Sequence, residues 1–497
     1  MPFLGETTAR IGALRKWLFE RVTVPECIAL FVGAILVVVV HASQFAHVFG
    51  EADGARMAND ATGWHIAGKV HLETTEYRMR TSPLYLQGLK TALDQGLAMR
   101  HLPRFMAWTS LVSSVMGLLA AYFLFRSLIG RVGAAIASVF LLLAPVYWLS
   151  GAYGMAHGPG LTALLVALLV FSLALDEENT PRRFFWISAL AAFWVFVALA
   201  LKADLVLNGL AFPALAFARR RLTKRTFVVS SALVVVPFLA QMAYVHALVT
   251  ALPTTQTTAQ FAQAYNDRFP FELHNIGAEL SCITHAPGSV LFVVGLVAAV
   301  HQLLSRSGFR LAVFAIAWGL PIVIFWGLQH GNSARHNLSA TPALALLAGA
   351  FVVSVTEAPW RAAVLATLIA LGNYVSDTEG ETGGFGTLAP RSDVLALMPG
   401  VTQKSEETQA WARGFGRIAA PKKALVARWS LPFAHFEALR AHEGEKNVTF
   451  DGHDVIVTKD DGTTIEARTV YAVTPAIGQA ALRSFRERGF NVTRRDW

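Results

Sequence analysis

Residues 25–60 read PECIALFVGAILVVVVHASQFAHVFGEADGARMAND, an apolar run from about Pro25 to Phe45 followed at once by an acidic, helix-patterned segment. The run is about 20 residues long, enough to cross a hydrocarbon core of roughly 30 Å, and Arg10, Arg15, Lys16 and Arg21 precede it. It is too long for a signal-peptide core and lacks a clear small-residue cleavage site, so it reads as a retained signal-anchor. The carboxylates just beyond it, Glu51, Asp53 and Asp60, stand where they can act on something held by the membrane.

Outward from this stretch, apolar runs recur at about 105–126, 132–152, 158–175, 184–201, 204–218, 226–248, 287–304, 310–328, 338–356 and 360–376. The count is about eleven crossings. With 54% hydrophobic and 15% charged residues, the fold class is a polytopic α-helical membrane protein. If residues 1–24 are cytoplasmic, every short inner loop is basic: Arg126 and Arg131, Arg182 and Arg183, Arg219 to Arg221 with Lys224 and Arg225, Arg306 and Arg310, and Arg361. That is the positive-inside pattern of an inner (plasma) membrane protein. The net charge of +9 is therefore read as topology. No nucleic-acid partner is expected, because no basic stretch alternates with aromatics as a strand-binding groove would. Cys27 and Cys282 fall on opposite sides of this topology, which argues against a disulfide, and no zinc pattern occurs.

The first outer loop, 47–104, contains two segments patterned as interfacial helices, about Gly54–Val70 and Pro83–Met99. Pro83 suits a first helical turn. Arg56, Lys69, Arg78, Arg80, Lys90, Arg100 and Arg104 give this loop a basic surface that suits solvent, anionic lipid or lipid-linked phosphate. A second long outer loop spans 250–286. After the membrane region, 25–377, a Gly-, Thr- and Glu-rich linker at 378–386 leads into 387–497, where strand-like runs (Ala424–Arg428, Asp454–Thr458, Thr469–Val473) alternate with helical ones (Pro432–His442, Pro475–Arg488). This reads as a small C-terminal α/β domain, extracytoplasmic because the span count is odd.

A carboxylate held at the membrane surface can deprotonate an acceptor hydroxyl as a general base. Asp53 is equally suited to cap a helix with Arg56 and Met57 in its first turn. Arg335 opens a span on the outer side, and its weakly hydrated guanidinium matches phosphate oxygens with two parallel donors. Lys202 stands at a comparable outer turn. His157-Gly-Pro-Gly and His285-Ala-Pro-Gly both open spans from that side, where capping or packing explains the histidines as well as ligand binding does. His330 and His336 add to this group without metal-ligand spacing. Tyr77 and Tyr85 read as interfacial anchors ahead of substrate contacts. No Ser-His-Asp arrangement, phosphate loop or dinucleotide glycine motif appears, so hydrolase and nucleotide-driven activities lack support.

Taken in order, the first span, the turn Glu51-Ala-Asp53-Gly-Ala-Arg-Met-Ala-Asn-Asp60, an interfacial helix and Tyr77-Arg78-Met-Arg80-Thr-Ser-Pro83-Leu84-Tyr85 resemble the first outer loop of GT-C type glycosyltransferases. These are integral-membrane enzymes that take a sugar from a polyprenyl-phosphate donor, with protein mannosyltransferase and aminoarabinose transferase branches. Ala334-Arg335-His336-Asn337-Leu338-Ser339-Ala340-Thr341-Pro342 is similar to the family's Arg-Tyr segment ending in Pro, and Leu201-Lys202-Ala203-Asp204 to its Lys-Pro turn.

The resemblance implies transfer of a sugar to a cell-envelope glycan or lipid acceptor on the outer face, by inverting displacement. Asp53 or Glu51 would be the base. Arg335, Lys202 and Arg78 would bind the donor phosphate, and Asp60, His336, His285 and Tyr85 would contact substrate. Membrane lipids are the further partners, and the one cofactor left open is a divalent metal ion. The sequence departs from the family by splitting and reversing the acidic pair as Glu51-x-Asp53, by His336 in place of Tyr and by Ala203 in place of Pro. The rival class, a transporter or flippase of lipid-linked glycans, would place ionisable residues or broken helices near mid-membrane, and these spans hold almost none.

Overall fold

The structure, a computed structural model, describes residues 24–42, 52–67, 79–142, 154–176, 179–250, 289–329 and 334–356, three strands between 447 and 467, and a few single positions. The described helices are α1 (Val24–Ala42), α2 (Ala52–Ala67), α3 (Pro83–Asp94), α4 (Leu102–Leu142), α5 (His157–Ala174), α6 (Pro181–Leu201), α7 (Ala211–Ala218), α8 (Lys224–Thr250), α9 (Ser289–Leu304), α10 (Phe309–Gln329) and α11 (Thr341–Ser354). Two 3-10 runs, Ala203–Leu210 and Ala334–Ala340, lead into α7 and α11.

Eleven crossings are not found among the described residues. Six helices there are long and apolar enough to cross a membrane: Met99–Leu142, His157–Ala174, Pro181–Leu201, Lys224–Thr250, Phe309–Gln329 and His336–Ser354. The expected spans 105–126 and 132–152 fall on either side of Gly130 within α4, where two helical stretches meet at a non-helical kink (φ 76, ψ −179), a backbone conformation that only glycine adopts without strain. The expected span 360–376 lies outside the described residues. The span at 204–218 is not one α-helix but a 3-10 run followed by the short α7. Because a 3-10 helix rises about 2.0 Å per residue against 1.5 Å for an α-helix, this 16-residue segment reaches about 28 Å, close to a bilayer core.

Side chains sort by what they face. Helix α6 buries Ala191, Val195 and Ala198 and exposes Phe185, Trp186, Leu190 and Phe193, while α8 exposes Phe227, Val228, Val235, Val236 and Leu239. A water-soluble chain rarely leaves apolar faces of that extent uncovered, so these belong against lipid. This is a multi-pass membrane protein. Inside the bundle, small residues let backbones approach: a Cβ added at Gly349 of α11 would sit 2.6 Å from the Gly133 carbonyl oxygen of α4.

Polar contacts mark the two ends of the bundle. At one, the buried Glu26 of α1 accepts from Tyr122 Oη at 3.2 Å and pairs with Arg126 at 3.3 Å and Arg131 at 3.0 Å, fastening α1 to the bend of α4. At the same end Arg219 pairs with Asp176 at 2.6 Å and donates to the Ser127 carbonyl at 2.7 Å. Arg225 donates to the Pro181 carbonyl at 3.4 Å, and the Arg310 guanidinium stacks over Phe217 at 5.4 Å. The basic loops of the sequence thus gather at one end of the helices. The Lys202 turn, α3 and the 3-10 run Ala334–Ala340 lie at the other.

The strands β1 (Asn447–Asp451), β2 (Asp454–Thr458) and β3 (Thr464–Ala467) form an antiparallel sheet in chain order. Asp451 pairs with Asp454 at one end of the β1–β2 ladder and Asn447 with Thr458 at the other. Strand β2 coincides with the expected Asp454–Thr458, and β1 lies against α2. The other expected elements of the C-terminal domain, the linker 378–386 and the loop 250–286 lie outside the described residues or touch them only at single positions.

Candidate active site

The end opposite the basic loops is built from α3 outward. Pro83 opens α3, and its buried face is Tyr85, Leu86, Leu89 and Leu93, a helical stripe. Tyr85 is buried, and its hydroxyl donates to the Gly154 carbonyl at 2.8 Å. Burial pushes the phenol pKa up, so it remains a neutral donor. Gly154 takes φ 60 and packs so tightly that a Cβ there would lie 2.9 Å from Met106 Cβ, which sets the turn into α5 against α4. Tyr85 therefore lies inside the bundle and not at its interfacial surface, and its hydroxyl holds α3 to the turn before α5. Gln87 and Tyr244 share a hydrogen bond between α3 and α8.

Helix α2 is fastened to α3 by polar groups. His65 Nδ1 lies 2.7 Å from Asp94 Oδ1, Lys90 Nζ lies 2.5 Å from Asp94 Oδ2, and Lys90 stands 5.5 Å over the Trp64 ring. The hydrogen bond from Lys90, then that from His65, holds the Asp94 carboxyl below its ordinary pKa. A depressed folded-state value means the contribution is complete above the unfolded pKa of about 4 and is lost as pH falls through the folded value. Asp94 is 41% exposed, so the latch contributes on the order of 1 kcal/mol or less. Thermal unfolding of the wild type between pH 6 and pH 3 is expected to show a small loss on the acid side that Asp94→Asn lacks; identical profiles would show that the latch does not hold in solution.

The turn held by Tyr85 leads directly into His157, the first residue of α5, and four side chains from four elements converge there. The His157 and His336 rings stack at 6.0 Å, and His336 stacks on Trp326 of α10 at 3.9 Å with 23° between planes. Lys202 Nζ lies 5.8 Å from the Trp326 ring centre and 3.2 Å from Asp204 Oδ2. Lys202 adopts extended backbone (φ −155, ψ 99), which ends α6 and starts the 3-10 run. Gly160, one turn into α5, makes room for it: a Cβ there would lie 3.0 Å from Lys202 Cβ.

Around this cluster, buried polar atoms lack partners among the described residues: Asp204 Oδ1 and Asn208 Oδ1 on the first 3-10 run, Trp318 Nε1 and Trp326 Nε1 on α10, and Ser339 Oγ on the second run. Asn208 Nδ2 does donate to the Trp318 carbonyl at 2.8 Å. Each unpaired buried group costs about 1–3 kcal/mol, and few survive in folded proteins unless water or a ligand meets them.

The structure brings together two of the sequence-derived candidates, Lys202 and His336. Asp53 lies in the first turn of α2, which begins at Ala52. Asp60 is two turns further along α2, partly buried. Arg335 stands within the 3-10 run, immediately before His336. Glu51, Arg78, Tyr77 and His285 lie outside the described residues. Trp326 and Asp204 were given no role by sequence reasoning; Trp326 is one of 12 tryptophans in the chain, and nothing local distinguishes it from the membrane-facing ones. Among the described residues, no three His, Cys, Asp or Glu side chains converge to hold a metal ion.

A multi-pass helical bundle, closed at one end by two short helices from its first loop and by a buried polar cluster, defines a membrane protein with its candidate site at the bilayer surface. The fold is that of the GT-C glycosyltransferases. ArnT from Cupriavidus metallidurans bound to undecaprenyl phosphate superposes with a TM-score of 0.54 at 15% identity, covering 85% of this chain and 78% of ArnT. ArnT in the apo state gives 0.53 at 13% identity, over 81% and 84% of the two chains. The oligosaccharyltransferase AglB from Archaeoglobus fulgidus, in complex with an inhibitory peptide and a dolichol-phosphate, gives 0.51 at 13% identity, over 84% of this chain and 63% of AglB. No family model and no curated protein matches the chain.

Proposed function

We propose that this protein transfers a sugar from a polyprenyl-phosphate donor to a cell-envelope glycan or lipid acceptor at the outer face of the inner membrane. The observation that carries the reading is the meeting of Lys202, Trp326, His336 and His157 at the end of the bundle where the first-loop helices dock, within a GT-C fold. Asp53, or Glu51, takes the proton from the acceptor hydroxyl while that oxygen attacks the anomeric carbon. The bond from the anomeric carbon to the phosphate oxygen breaks with inversion, and its electron pair leaves with the lipid phosphate. Arg335, with Lys202 and Arg78, binds that phosphate and stabilises the charge it gains. Asp204 already neutralises part of the Lys202 charge, which leaves the larger share of this work to Arg335. The C-terminal domain is extracytoplasmic and covers the site, a reading supported by the approach of β1 to α2.

The test is turnover. Purified full-length protein in lipid nanodiscs is incubated with a panel of labelled polyprenyl-phosphate sugars and extracts of envelope lipid and glycan. Label is expected to move from at least one donor to an acceptor. No transfer from any donor in any extract would overturn the reading.

A further inference from the structure

We infer that Asp204, Trp326 and Ser339 form a hydroxyl-recognising subsite that holds the sugar ring of the donor beside the phosphate-binding cations; the inference rests on the transfer reading above. The side chains come from three separate elements that meet around Trp326. In a 3-10 helix, positions i and i+3 lie over one another. Asp204 therefore shares a face with Leu207, and Leu207 packs against the cluster of Ile322, Trp326 and Ala340. By the same geometry Ser339 shares a face with His336, whose ring stacks on Trp326. Both 3-10 runs thus carry a polar residue on the face that meets the Trp326 cluster.

The three groups have complementary hydrogen-bonding needs. Asp204 Oδ1 can only accept, Trp326 Nε1 can only donate, and Ser339 Oγ can do both. All three atoms are buried and unpartnered among the described residues, although Asp204 Oδ2 is fixed by Lys202 at 3.2 Å. A prenyl chain satisfies none of them. The phosphodiester of a donor carries no proton for Asp204 at neutral pH. A hydroxyl both donates and accepts, so a polyhydroxylated ring is the part of the donor that can meet the whole set. The groups are closed off from solvent, so the ring enters only if the 3-10 runs part. Runs of 8 and 7 residues are longer than the three or four usual for this helix, whose hydrogen bonds are poorer than those of an α-helix.

The experiment compares full-length wild type with Trp326→Phe, which keeps a stacking ring but removes the N–H, and with Ser339→Ala and Asp204→Asn. Two quantities are read in nanodiscs: KM for the undecaprenyl-phosphate sugar that the wild type uses, and inhibition by bare undecaprenyl phosphate. KM is expected to rise about tenfold in Trp326→Phe and Ser339→Ala, the effect of losing one ordinary hydrogen bond, with inhibition by the bare carrier unchanged. An equal loss against the bare carrier would assign these groups to phosphate or to packing and overturn the subsite. An unchanged KM would mean that they meet only water, with the same consequence. Direct binding of undecaprenyl phosphate, with and without a hexose or pentose, separates the two proposals. Sugar-dependent binding that Trp326→Phe weakens, in a protein that never turns over, would sink the transfer reading and keep the subsite. Turnover without any preference for the sugar-bearing lipid would do the reverse.

Discussion

Asp53→Asn is expected to lower sugar transfer about 10²–10⁴-fold, the usual contribution of a positioned general base, with little change in the stability of the bundle. The substitution keeps the shape of the side chain and its capacity to accept a hydrogen bond, but removes a group that can take the proton of the attacking hydroxyl. Asp53 stands in the first turn of α2, and α2 is tied through His65 and Asp94 to α3, which Tyr85 anchors to the turn before His157. The carboxylate therefore rides on an element connected by direct contacts to the Lys202 cluster. A base lost in this way lowers kcat and removes the acid limb of the pH–rate profile, whereas a capping role would appear in thermal unfolding. Glu51→Gln is the comparison. Full loss in that variant with near-normal rates in Asp53→Asn would transfer the role to Glu51, and normal rates in both would dismiss carboxylate catalysis at this turn.

Gly349→Leu is expected to destabilise the protein by about 1–3 kcal/mol or more, the cost of overpacking a tight contact. A Cβ at this position would lie 2.6 Å from the Gly133 carbonyl oxygen, 2.8 Å from Ala137 Cβ and 3.0 Å from the Ala137 backbone nitrogen. Two of these neighbours are backbone atoms, so no rotamer change relieves the clash and α11 must move away from α4. Helix α11 continues directly from the 3-10 run that carries Arg335 and His336, so the displacement should reach the site as well. Thermal unfolding in detergent and transfer activity should both fall for Gly349→Leu, and less for Gly349→Ala. Unchanged unfolding of the leucine variant would show that the two helices do not approach this closely.

Much of the architecture is legible one segment at a time. The apolar runs at 158–175, 184–201, 226–248 and 310–328 correspond to α5, α6, α8 and α10 because span hydrophobicity is a local property. Pro83 opens α3 for an equally local reason, since it fills a position where no backbone N–H is needed. The failures share a cause. Ala203–Leu210 winds as a 3-10 helix because neighbours and the distance to be crossed, not residue preference, decide it. Tyr85 looked like an interfacial anchor since its burial depends on a carbonyl 69 residues away.

The sequence by itself determined the membrane class, the grouping of the basic loops, the polar first loop with its acidic turn, and Lys202 and His336 as candidates. These follow from hydropathy, charge placement and short motifs, each readable within a few residues. Only the tertiary structure decided that Lys202, Trp326, His336 and His157 meet, and that Tyr85 is a strut. Those relations join separate spans, and it is the crossing of helices with small contact residues, not any local pattern, that sets which of their ends come together.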